Sequence, residues 1–227
     1  MPLLSDLHFF AEVDILVGLV YAAALIVLDA DWRVALFALT AQYLLTTLLL
    51  SLIIQPSIAL LYLISGALAA IILYITCRRL TEERRAAFAQ LDGEPPANWI
   101  ERLYQPEVFV VGYPFRVVAL AFVAVGIIGV ASSMTFLGLA ADVLFSGVWL
   151  IAAGILVAIL SRDVLRLGLG ILLFTSGFVI LESGIEGSLF LYGLLNVSEL
   201  LLAVVISHLA TVTQQETGPA RRRGEIS

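Results

Sequence analysis

Charge is scarce in this chain: only 13% of its 227 residues are Asp, Glu, Lys or Arg, and all twelve basic residues are arginine. Soluble domains carry roughly 25% charged residues, so a soluble globular fold is excluded. Cysteine is nearly absent too, and the one present, Cys77 at a helix end, supports neither a disulfide framework nor a metal cluster. It reads as inert. No set of metal ligands, no Gly-rich phosphate loop and no nucleophile beside a base occurs, so the chain is read as lacking a catalytic site, a metal and a cofactor of its own. A formal net charge of -6 argues against nucleic acid as a partner. The apolar runs lack the alternation of an outer-membrane barrel. The stretch MPLLSDLHFFAEVD has neither a basic n-region nor a small-residue cleavage site, so the expectation is a retained first helix rather than a signal peptide.

What the sequence does have is apolar length. Hydrophobic residues make up 61% of it and the mean hydropathy is +1.06, which marks an integral membrane protein. A helix needs about 20 apolar residues to cross a hydrocarbon core about 30 Å thick. Seven stretches approach that length: 11–28, 33–54, 57–77, 116–136, 143–161, 164–182 and 187–210. The predicted fold class is all-α, a polytopic membrane protein with seven transmembrane helices. Arg33, Arg78, Arg79, Arg84, Arg85, Arg102, Arg116, Arg162, Arg166, Arg221, Arg222 and Arg223 then fall in alternate loops and the tail. The positive-inside rule places those loops in the cytoplasm, with the N-terminus outside and the C-terminus cytoplasmic. Asp6, Glu12, Asp14, Asp142, Glu182 and Glu186 occupy the opposite side.

The first and last three helices share a plan: a charged turn (LDADWR, LSRDVLR), a second helix, a minimal turn, and a third helix with an early Leu-Tyr pair, Leu61–Tyr62 and Leu191–Tyr192. One helix lies between the triplets, so both enter the membrane in the same direction, as in a parallel repeat. The organisation read from this is 1–77, a first three-helix repeat; 78–115, a cytoplasmic loop; 116–136, a linking helix; 143–210, a second three-helix repeat; and 211–227, a cytoplasmic tail. Within the loop, RRLTEERRAAFAQ extends the third helix, and NWIERLYQPE sets Trp99, Ile100, Leu103 and Tyr104 on one face of a short amphipathic helix. That helix reads as a lid on its own bundle or as a docking surface for a soluble partner.

Glu199 is the leading functional candidate, an acid halfway along the last apolar stretch. An ionisable group at that depth is tolerated mainly where it faces protein or water. Asn196, three residues earlier on the same face, is well placed to hold it or to accept it onto a local hydrogen-bond path. His208 lies nine residues on and about half a turn round, a membrane-interface histidine first and the inner exit of a proton path second. Gln42 with Thr46 and Thr47 in the second helix, and Thr175 with Ser176 in the sixth, offer further polar groups. Asp14 reads as a hydrated acid at the outer headgroups, or secondarily as a way in for ions.

The stretch SRDVLRLGLGILLFTSGFVILESGIEGSLFLYGLLNVSELLLAVVISHL, Ser161 to Leu209, resembles the last two helices of the E subunit of hydrogenase 4 and formate hydrogenlyase membrane arms. It is similar in turn to the K subunit of complex I and the C subunit of Mrp-type antiporters. The resemblance implies a cofactor-free subunit of a lateral ion-translocating arm in a prokaryotic inner membrane, packed beside antiporter-like and other membrane-arm subunits. It also implies an acid at the position of Glu199. That family tends to carry a second acid in helix 6 and a lysine in helix 3, where this chain has Leu172, Phe174, Thr175, Ser176 and, in the third helix, Ser65. The expected function is therefore support of proton or sodium translocation driven by a reaction in partner subunits. A scaffold subunit in which Glu199 pairs with a cation is the alternative, and a stand-alone transporter the third.

Overall fold

A computed structural model describes residues 2–89, 112–133, 139–185 and 188–217, and every regular element among them is a helix. They are α1 (Pro2–Leu28), α2 (Trp32–Ile53), α3 (Pro56–Ala89), α4 (Tyr113–Ser133), α5 (Ala141–Leu160), α6 (Val164–Ile185) and α7 (Leu189–Thr217). Five of these, α2, α3, α5, α6 and α7, are long and apolar enough to cross a membrane; α1 and α4 carry the shorter apolar stretches Asp14–Leu28 and Tyr113–Gly129. The chain is thus an all-α protein of multi-pass membrane character. The amphipathic segment around Trp99 and the tail beyond residue 217 lie outside the described residues.

Several helices outrun their apolar stretches, because the backbone ladder continues after the lipid-matched part of the sequence ends. α1 begins at Pro2, so Asp6, ahead of the stretch 11–28, is helical along with Glu12 and Asp14. α3 continues through Arg78 to Ala89, as the charged extension predicted. α4 begins at Tyr113, which puts Pro114 in its first turn, where a missing N–H leaves no gap in the ladder. α6 runs to Ile185, so Glu182 is not a loop residue but a buried one, 7% exposed.

The tightest packing is between α5 and α6. A Cβ added to Gly154 would stand 2.6 Å from the Gly170 oxygen, and one added to Gly177 would stand 2.5 Å from the Gly147 oxygen. Two pairs of glycines, each pair seven residues apart, therefore bring the antiparallel backbones into contact. Helices α3 and α7 pack side by side in the same direction. Ser65 meets Asn196 at 2.7 Å, and eleven residues further along both helices Thr76 meets Ser207 at 2.6 Å. Helix α1 packs on α5, and α2 on α6, so each helix of the first triplet touches its opposite number in the second.

One end of the bundle is tied together by the turn after α1. The last carbonyls of a helix have no partner within it. Here Arg116 Nη1 at the start of α4 donates to the carbonyls of Leu28 (2.5 Å) and Val27 (3.4 Å), and Arg166 Nη1 at the start of α6 donates to that of Ile26 (3.1 Å). These arginines are not loop residues as the hydropathy suggested; they are 7% and 2% exposed. Asp29 and Asp31 complete the turn, each accepting a backbone N–H two residues on, at 2.9 Å, with Asp31 capping α2.

Candidate functional site

Along α7 the buried positions are Tyr192, Asn196, Glu199, Ala203, Ile206 and Ala210, spaced by four and three. That spacing keeps them on one face of the helix. Most of the opposite side is exposed and apolar, with Phe190, Leu194, Val197 and Leu201. The buried stripe is polar only in its first half, and there it meets α3 and α6.

Glu199 is fully buried at that junction. Its Oε1 accepts from the Tyr62 hydroxyl of α3 at 3.3 Å and from Ser176 Oγ of α6 at 3.5 Å. Ser176 also reaches the Leu172 carbonyl at 2.8 Å, so its single proton serves one acceptor at a time. Tyr43 of α2 lays its ring against that of Tyr62, with centroids 5.4 Å apart and planes inclined by 55°. Gly66 of α3 makes room for it, since a Cβ there would run into the Tyr43 ring. Tyr43, Tyr62 and Tyr192 all stand close enough to Glu199 to feel its charge.

Glu199 Oε2 has no hydrogen-bond partner, and the buried hydroxyls of Tyr43, near Ser176, and Tyr192, near Asn196, make no bond of good geometry. Buried polar atoms are seldom left so. The arrangement is a carboxyl held through one oxygen, with its other oxygen and two nearby phenols retaining hydrogen-bonding capacity. Chemically such a group can take up and pass on a proton, the phenols serving as donors or acceptors. Among the described residues no group of His, Cys, Asp and Glu is arranged to hold a metal.

Of the residues singled out by sequence, the fold brings together Glu199, Asn196 and Ser176. Asn196 does not hold Glu199 as expected. Its Oδ1 accepts from Ser65 and its Nδ2 donates to the Tyr192 carbonyl at 2.9 Å, which uses both ends of the amide. Thr175 turns back on its own helix, donating to the Ile171 and Leu172 carbonyls at 2.7 and 3.1 Å. Gln42 is buried and donates to Thr46 of its own helix at 3.0 Å. His208 and Asp14 are exposed. Tyr43, Tyr62, Tyr192 and Ser65 escaped the sequence reading as site residues. The available signal was the tyrosines themselves: a phenol inside an apolar segment must place its hydroxyl somewhere. Compared with family models, with curated proteins and with solved structures, the chain matches none.

Proposed function

We propose that this chain is a membrane-arm subunit of a multisubunit assembly and supports proton, or sodium, translocation coupled to a reaction in partner subunits. Glu199 is the ionisable group on which that role rests. The observation that carries the reading is the state of this carboxyl: wholly buried where three helices meet, held by hydroxyls from two of them, with Oε2 unpartnered. An acid kept only to fasten helices would be expected to satisfy both oxygens. A carboxyl with one oxygen in hand is suited to changing its protonation as water or a neighbouring subunit's charge approaches. The resemblance of Ser161 to Leu209 to hydrogenase-4 and complex I membrane-arm subunits supports the same reading and names the antiporter-like subunits as partners.

The topology proposed with it has seven spans, the N-terminus outside and the arginine-bearing ends in the cytoplasm of a prokaryotic inner membrane. Three observations support it. Arg116 and Arg166 meet at the end of α1, α3 and α7 run parallel, and α4 starts at the arginine end and so must return before α5 can begin. The pairing of α1 with α5, α2 with α6 and α3 with α7 supports a parallel three-helix repeat in the same way.

The scaffold alternative has Glu199 paired to a cation across a helix interface. Its partners here are Tyr62 and Ser176, both uncharged, which favours the translocation reading. The deciding experiment is Glu199→Gln in the assembled complex, reconstituted into vesicles. The translocation reading expects assembly to stay intact and coupled ion movement to be lost. Normal pumping overturns it, and loss of assembly with the amide in place transfers the role to scaffolding.

A further inference from the structure

A groove of about 900 Å³ runs between the start of α2 and the end of α3, open along its length to the surroundings of the bundle. Its mouth carries Arg33 and Arg78, and its floor is apolar, with Phe37 and Ala67 among its walls. Trp32 and Tyr74 approach each other with rings 6.1 Å apart, and the Arg33 guanidinium sits 5.4 Å over the Trp32 ring. Cations and amphipathic aromatics gathered at one end, with apolar side chains further along the helices, are the composition of a membrane interface. The Arg78 side chain is 66% exposed and gives only its Nε to Glu82, at 2.9 Å. A guanidinium has five N–H donors in a fork, so its amino groups remain available to phosphate oxygens. Among the residues that line the groove two arginines stand against one acid, Glu82, while Asp31, whose carboxylate is turned back on the Arg33 backbone N–H at 2.9 Å, lies beside the mouth and not in the lining.

We infer that this groove is a binding site for an anionic phospholipid of the leaflet at the arginine end, its phosphate between Arg33 and Arg78 and an acyl chain laid along Phe37 and Ala67. Charge complementarity selects this occupant over a zwitterionic lipid, and the apolar floor selects it over a soluble phosphate. The site rests on the multi-pass reading of the chain but not on any role of Glu199, so each can fail alone. An exposed arginine–phosphate ion pair is worth up to roughly fivefold in affinity, and the two together up to about 30-fold.

The test uses the full chain, purified in an uncharged detergent and titrated with phosphatidylglycerol or phosphatidylcholine, with bound lipid counted by native mass spectrometry. Phosphatidylglycerol should bind in preference. The Arg33→Gln/Arg78→Gln double variant should weaken it by several-fold, up to about 30-fold, Ala67→Trp should block it by filling the floor, and Arg79→Gln, outside the groove, should leave it unchanged. Glycerol 3-phosphate, the headgroup chemistry without chains, should not compete. Equal binding of the two lipids, or competition by glycerol 3-phosphate, overturns the proposal. So does a preference that survives both the double variant and Ala67→Trp.

Discussion

Tyr62 joins three helices through one side chain: its hydroxyl bonds Glu199 of α7 at 3.3 Å and its ring packs on Tyr43 of α2. Ser176 addresses the same Oε1 from α6. Two donors on one acceptor atom are not independent, and groups sharing a partner commonly couple by about 0.5 to 3 kcal/mol. Tyr62→Phe keeps the ring and deletes only the hydroxyl; Ser176→Ala deletes the second donor. Each alone should lower the unfolding midpoint of the detergent-solubilised chain by a few degrees, at about 2 to 4 °C per kcal/mol for a chain of this size. The double variant should lose clearly more or less than the sum of the two, whereas simple additivity would mean that the carboxyl does not depend on this pair. Gly66 belongs to the same cluster from the other side. Gly66→Leu would displace the Tyr43 ring, overpacking that commonly costs about 1 to 3 kcal/mol.

Between α5 and α6 the interface is built by what is missing. Gly147, Gly154, Gly170 and Gly177 let the two backbones touch, and any Cβ at Gly154 would meet the Gly170 carbonyl and the Phe174 backbone. Backbone, unlike a side-chain tip, cannot swing away. Gly154→Leu should therefore push the helices apart and reduce the yield of folded, monodisperse protein after solubilisation far more than Gly126→Leu, whose position has nothing within 4 Å of an added Cβ. Equal yields would show that the close approach is dispensable. Helix existence was legible in the sequence because hydropathy and length decide it, and the α5–α6 turn because SRDVLR is too short for anything but an antiparallel return. Helix ends were not, since lipid-matched apolarity stops before backbone hydrogen bonding does: hence α1 from Pro2 and Glu182 inside α6. Glu199 was legible for the same reason, a lone acid in an apolar run. Its true neighbours were not. Tyr62 and Ser65 reach it, or its helix, across contacts more than a hundred residues apart in sequence, which no local spacing encodes.

At the scale of the molecule, sidedness follows from a few contacts. Arg116 and Arg166 bind the end of α1, so α4 and α6 begin where α1 finishes. The groove between α2 and α3 puts Arg33 and Arg78 at a common mouth, and α2 starts just after α1 ends. The arginines of α2, α3, α4 and α6 are therefore gathered at one end of the bundle, and the turn between α2 and α3, at Ile54–Gln55, lies at the other. Loops rich in arginine stay in the cytoplasm, because translocating them against the membrane potential is unfavourable. Gln55 should then face outward and Glu83, on the far extension of α3, inward. In a background with the buried Cys77 replaced by serine, Gln55→Cys should react with a membrane-impermeant thiol reagent in intact cells. Glu83→Cys should react only after the cells are opened. Both residues are exposed, so access to reagent rather than burial decides the outcome. The reverse pattern would invert the molecule, and labelling of both in intact cells would overturn the proposed topology in which every helix from α1 to α7 crosses the bilayer once.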